Sequence, residues 1–188
     1  MKRFLFSDRK IVNILQISSQ KRPDFVILRE YDLNLEQKMV YFKKISSQIL
    51  SSCSKLTAKR TNILISQNLY IARKLKAKGI HVSDRNHRKS LFFKPNLPKN
   101  LLISSSCHNM ASFTKINRNK KINFVFISPI FKEKQQNRPK NIYFLRKINQ
   151  KSRKDLQICA LGGVNEGNLR ILKKSKINGF GAISYFKN

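Results

Sequence analysis

Short, nearly unbroken apolar runs alternate along this chain with longer segments whose apolar residues recur every three or four positions. The runs cover 4–6, 25–28, 62–65, 80–82, 101–103, 124–127, 156–161 and 179–184. Strands with one wet face alternate apolar and polar residues, whereas continuous runs belong to parallel strands buried on both faces. Between them, Leu35, Met39, Phe42, Ile45 and Ile49 keep helical spacing behind Asn34, a candidate N-cap. A short helix is predicted over 70–78, with Gly79 closing it in the left-handed position. Another is predicted over 141–151, with Ile142, Leu145 and Ile148 on one face, and a third over 165–175, with Leu169 and Leu172 inward. Eight strands alternating with helices predict an α/β fold, a compact TIM (β/α)8 barrel. An open doubly wound sheet is the other arrangement of the same pattern. Only four residues follow Ser184, so the eighth helix is predicted to be short or missing. Its absence would leave apolar barrel surface for a second copy of the chain to cover, which makes a homo-oligomer the expected assembly.

A length of 188 residues, 40% hydrophobic, supports one domain over 1–188 and leaves little room for a second. Charge changes the picture more. Lys and Arg number 40 against 9 Asp and Glu, a formal net charge of +31. Such a surplus attracts polyanions, so non-specific contact with nucleic acid is expected, and a basic nucleic-acid-binding protein stands as an alternative function. The basic residues are spread over predicted helices and loops, as on solvated helix faces, and no nucleic-acid motif is recognised. Cys53, Cys107 and Cys159 are odd in number and form no CxxC pair, which argues against a disulfide framework and for a reducing, cytoplasmic location. His81, His87 and His108 have no metal-ligand spacing. Residues 1–10 do not read as a signal peptide, and no apolar stretch reaches membrane-spanning length.

The candidate chemistry sits at the ends of the last two runs. Ala160-Leu161-Gly162-Gly163-Val164 and Gly179-Phe180-Gly181-Ala182-Ile183-Ser184 both end in small residues. Paired glycines let backbone N–H groups approach an anion, and two such neighbouring ends predict one phosphate pocket. The same glycines also fit an ordinary left-handed turn.

Taken in order, the strand-end residues resemble the thiamine phosphate synthase and thiazole tautomerase (TenI-like) family. The matching segments are Leu28-Arg29-Glu30, Ile65-Ser66-Gln67-Asn68-Leu69, Gly79-Ile80-His81-Val82, Ser106-Cys107-His108, Ser128-Pro129-Ile130-Phe131, 160–164 and 181–184. The resemblance implies a barrel with its site at the C-terminal rim and a phosphorylated small-molecule substrate. It also implies a reaction that joins a pyrimidine diphosphate to a thiazole phosphate with loss of pyrophosphate. Under it, Gly162, Gly163, Ile183 and Ser184 cradle the thiazole phosphate, while Arg29 and Ser106 serve the departing pyrophosphate. Plainer roles remain open: an ion pair with Glu30 or another rim acid for Arg29, and a turn hydroxyl for Ser106.

Other family positions have changed. A lysine two residues after the arginine is Tyr31, and the Asn-Asp pair after the third strand is Ser66-Gln67. The second acidic metal position falls near Asn86, with Asp84 two residues earlier. Mg²⁺ prefers anionic oxygen ligands, so its retention is doubtful and the site reads as degenerate. A catalytically inactive binder of a thiazole- or thiamine-type phosphate is therefore a second reading. The tautomerase branch uses a histidine where Pro129 stands. Lys132, Lys134, Arg138 and Lys140 crowd the loop after the sixth strand, either replacing part of a metal's charge or forming a solvated loop. His81 is expected to be a satisfied interior residue, His108 a structural hydrogen-bonder, and Cys107 no nucleophile.

Overall fold

Eight short strands pair in parallel, each with the next, and the ladder has no free edge. The computed structural model describes residues 1–51, 61–84, 97–98, 100–132 and 139–187. The strands are β1 (Lys2–Phe6), β2 (Phe25–Leu28), β3 (Asn62–Ser66), β4 (Gly79–Val82), β5 (Leu102–Cys107), β6 (Phe124–Ile127), β7 (Gln157–Leu161) and β8 (Gly179–Ala182). β8 pairs back onto β1, with Phe4 opposite Gly181, and closes the barrel. That pairing excludes the open sheet.

The α-helices are α1 (Leu35–Ser51), α2 (Leu69–Lys74), α3 (Met110–Arg118), α4 (Asn141–Lys151) and α5 (Glu166–Lys173). Asn34 caps α1 as expected: its Oδ1 accepts from the Gln37 N–H at 2.9 Å, and the Gln37 side chain accepts from the Asn34 N–H at 3.0 Å. This reciprocal pair satisfies two otherwise orphaned donors. Phe42, Ile45 and Ile49 are buried beneath it, but Leu35 lies in its first turn and is 53% exposed.

Two apolar layers fill the molecule. The outer one lies between strands and helices and includes Leu5, Val26, Ile65, Leu145 and Leu172. The inner one fills the lumen with Phe4, Phe6, Phe25, Phe124 and Phe126. Phe4 stacks on Phe25 at 4.6 Å, and Phe4 and Phe6 both meet Phe126 edge-on at 4.9 Å. So much aromatic volume leaves no room on β8. A Cβ on Gly181 would lie 2.5 Å from a Phe6 ring carbon, and one on Gly179 would lie 2.6 Å from the Lys2 carbonyl oxygen of the neighbouring strand. Gly181 therefore admits the Phe6 ring to the lumen, and Gly179 admits the β1 backbone.

Several sequence expectations are corrected. Gly79 does not close a helix: it opens β4, where a Cβ would collide with the Leu102 carbonyl. Lys76, at φ 50°, takes the left-handed position instead. β8 ends at Ala182 and gives way to a 3-10 turn at Ser184–Phe186. That turn covers β8 from within the chain: Phe186 is 1% exposed, and Tyr185 packs edge-on against Phe180, itself 2% exposed. The apolar gap expected there is filled. The β1–β2 connection holds 3-10 turns at Ile14–Gln16 and Ser19–Lys21. β5 runs past the expected 103 to Cys107, and α3 was not anticipated. Among the described residues, no helix is long and apolar enough to cross a membrane.

Candidate active site

Successive residues of a strand face opposite ways, so the positions that follow the lumen aromatics project into the barrel mouth at the strands' C-terminal ends. Phe25, Ile27 and Arg29 share one direction. The Arg29 guanidinium sits 5.0 Å over the Phe6 ring and 5.9 Å from Tyr31, contacts that orient its planar fork. Among the described residues, Arg29 forms no ion pair with Glu30 or with another acid. Glu30 is buried and turns to Ser7, whose Oγ donates to Oε1 at 2.9 Å, and to the Arg9 backbone N–H at 3.4 Å. Burial pushes the Glu30 carboxyl above the ordinary carboxylate range; the Ser7 and Arg9 bonds pull it back only in part. A cleft of about 200 Å³ opens here, lined by Ser7, Asp8, Lys10 and residues 29–32. A wider depression of about 720 Å³ along α4, beside Tyr143 and Arg146, is shallow helix surface.

Ser106 lies within β5, not in a turn. It is 8% exposed, and its Oγ is 3.0 Å from Nε2 of His81. His81, on β4, is 3% exposed and places Nδ1 2.9 Å from Ser104 Oγ. The β4–β5 register sets this up by pairing His81 with Ser104. Phe6 and Phe126 meet the imidazole edge-on at 5.2 and 5.7 Å. His81 is thus the satisfied interior residue expected, yet it touches the candidate hydroxyl. Ser66, beside His81 in the β3–β4 register, has a buried Oγ with no hydrogen-bond partner. A clue to this cluster stood in the sequence: Ser104-Ser105-Ser106 follows an apolar strand start without a break. His108 bonds the Ser128 carbonyl through Nδ1 at 3.0 Å. Burial pushes the Cys107 thiol up to about 12.

Across the mouth, Leu161 pairs with Gly181, so Gly162–Gly163 and Ile183–Ser184 follow neighbouring strand ends. Gly162 and Gly163 adopt φ 92° and 65°, the left-handed region that favours glycine. The segment after β6 extends the ladder beside them: Ile130 N–H donates to the Leu161 carbonyl at 3.0 Å and Phe131 N–H to the Gly162 carbonyl at 3.1 Å. Asn168 Nδ2 donates to the Gly163 carbonyl at 2.8 Å, and Asn165 caps α5 in a reciprocal pair with Asn168. Gly162 is buried, Gly163 and Ile183 are half-buried, and Ser184 is exposed.

Among the described residues, the donors after β3 and β4 are poor ligands for Mg²⁺, which prefers anionic oxygens. Ser66 and Gln67 are neutral, and Asp84 is the one carboxylate after β4 among the described residues. No group of three or more His, Cys, Asp or Glu that could hold a metal occurs among the described residues. Asn86, Lys134 and Arg138 lie outside the described residues, as do Cys53 and His87. Of the expected cations, Lys132 is exposed and Lys140 half-buried.

A closed parallel barrel with its polar residues gathered at the C-terminal mouth defines a TIM-barrel protein. The model of the thiamine monophosphate synthase family matches residues 3–186, and the chain belongs to that family. A protein of Aquifex aeolicus (strain VF5) named "Putative thiamine-phosphate synthase 2" is 25% identical over 190 residues, 97% of this chain and 96% of that one. Solved structures share the fold. The thiamine phosphate pyrophosphorylase from Pyrococcus furiosus superposes with a TM-score of 0.71 at 16% identity, covering 97% of this chain and 85% of that chain. The one from Bacteroides thetaiotaomicron gives 0.62 at 22%, covering 98% and 84%.

Proposed function

We propose that this chain couples a pyrimidine diphosphate to a thiazole phosphate and releases pyrophosphate. The bond between the pyrimidine methylene carbon and the diphosphate oxygen breaks, and its electron pair leaves with the diphosphate. The thiazole nitrogen then attacks the resulting carbocation. Catalysis of such a step consists of stabilising the departing anion while the nucleophile is held in line. The observation that carries the reading is Arg29, held over Phe6 at the mouth without an ion pair to Glu30. Its fork suits two phosphate oxygens, and Ser106 adds a hydroxyl from across the lumen. The Gly162–Gly163 turn and the Ile183–Ser184 backbone hold the acceptor's phosphate. Charge that Mg²⁺ would supply elsewhere falls here to Arg29 and to Lys132 and Lys140.

The neutral Ser66-Gln67 pair favours a second reading, a protein that binds thiazole or thiamine phosphate without turning it over. Incubating the purified chain with both substrates, with and without Mg²⁺, separates the two. Thiamine phosphate that Arg29→Lys reduces tenfold or more supports the coupling reaction. A melting shift with thiazole phosphate but no product supports the binder.

A further inference from the structure

We propose that Ser7 and Glu30 are positioning residues that clamp Arg29 to the end of β1 and so fix where its guanidinium stands over the mouth. The inference rests on the reading of Arg29 as the group that meets the departing diphosphate.

A carboxylate beside an arginine that grips an anion is electrostatically adverse, because it repels the anion. Glu30 directly follows Arg29, is buried, and makes no ion pair with it. The hydrogen bonds show what it holds instead. Ser7 N–H donates to the Ile27 carbonyl at 2.9 Å, as a parallel ladder requires. The next bond of such a ladder runs from the Arg29 N–H to the Ser7 carbonyl. Here the Ser7 side chain takes that bond, and the Arg29 N–H donates to Ser7 Oγ at 2.8 Å. The Ser7 hydroxyl gives its one proton to Glu30 Oε1 at 2.9 Å, which leaves its lone pairs for the Arg29 N–H. Glu30 Oε2 accepts the Arg9 N–H at 3.4 Å, so the carboxylate joins the two strand ends. The guanidinium is referred to the same segment, since it lies 5.0 Å over Phe6, the residue before Ser7. Backbone and head group of Arg29 are therefore fixed against consecutive residues. Asp32, the next acid along, is held by Arg9 at 2.8 Å and Lys10 at 3.3 Å rather than by Arg29. A guanidinium placed in advance loses less freedom when an anion arrives.

The test is calorimetry of the full chain with inorganic pyrophosphate near pH 8, where carboxylates are ionised, in salt high enough to screen the surface charge. Coulomb attraction alone predicts that Glu30→Gln, which removes a negative charge, tightens pyrophosphate. The clamp predicts the opposite sign, a weakening of about threefold or more, because one amide oxygen replaces two acceptors. Ser7→Ala should weaken pyrophosphate about tenfold. The guanidinium is also read without ligand. The Arg29 Hε proton signal, identified by its loss in Arg29→Ala, is shifted by the Phe6 ring current, and both Ser7→Ala and Glu30→Gln should move it toward the free-arginine position. Residues that merely satisfied buried groups would leave that signal unmoved in a folded variant. Unchanged or tighter binding by Glu30→Gln, or an unmoved Arg29 signal, overturns the clamp. Absence of saturable binding by the parent overturns instead the diphosphate reading beneath it, and the ring-current shift still decides whether Ser7 and Glu30 hold the guanidinium. Glu30→Gln carries both readouts, so the test stands even where Ser7→Ala does not fold.

Discussion

Replacing Gly163 by alanine probes the turn on which the acceptor's phosphate is proposed to rest. At φ 65° an L-residue pays about 1 kcal/mol for its backbone conformation. The new Cβ would lie 2.6 Å from the Lys132 carbonyl oxygen and 2.8 Å from Phe131 Cβ. The first neighbour is backbone and cannot swing aside, so the 130–132 segment must move off the end of β7, at roughly 1–3 kcal/mol for overpacking. The total is about 2–4 kcal/mol, or roughly 5–15 °C in Tm for a domain of this size. Gly167, four residues on, is the internal control. It lies in α5, and its added Cβ would meet only Asn165 Oδ1, at 3.3 Å. Alanine there gains roughly 0.5–1 kcal/mol of helix preference, less any disturbance of the cap. Thermal unfolding of both variants, with and without thiazole phosphate, gives the comparison. Gly163→Ala should melt well below the parent and lose the ligand-induced shift, and Gly167→Ala should do neither. A Gly163→Ala protein that melts within about 2 °C of the parent would refute the close packing described here.

Three further outcomes follow from the same geometry. Gly181→Ala should cost roughly 1–3 kcal/mol in denaturant unfolding, and Phe6→Leu in the same chain should recover part of that loss, because the two sites compete for one volume; strict additivity would count against the crowded lumen. Glu30 has a raised folded-state carboxyl, so its protonation favours folding. The stability of the parent relative to Glu30→Gln should therefore rise as pH falls through the raised folded value toward the ordinary carboxylate value near 4.3, and a relative loss there would reverse the assigned cause. Cys107, buried and pushed up to about 12, and Cys159, pushed further by complete burial, should resist alkylation near pH 8 until the chain unfolds, as read by peptide mass.

Much of the fold is written in local pattern. The Phe25–Leu28 and Phe124–Ile127 strands and the α4 boundaries are as read, because continuous apolar runs and the Leu145–Ile148 spacing have one inexpensive burial each. α3 has a weak sequence signal because Phe113 and Ile116 are its only fully buried residues and Ser, Thr and Asn surround them. Gly79 is ambiguous in sequence because a glycine signals a left-handed turn and a close approach alike; the neighbouring strand's Leu102 and the Leu64 side chain distinguish them. The candidate site divides in the same way. Arg29 and the Gly162–Gly163 pair stand at strand ends where sequence order alone points to them. The Ser104–His81–Ser106 chain joins residues more than twenty positions apart through the β4–β5 register, which no local pattern encodes.

The most direct measurement is a single-turnover reaction of the purified chain with pyrimidine diphosphate and thiazole phosphate, following both products. The account predicts thiamine phosphate and pyrophosphate in equal amounts, formed without added divalent metal and greatly slowed by Arg29→Lys. No thiamine phosphate under any metal condition, from a folded chain that binds both substrates, would contradict it.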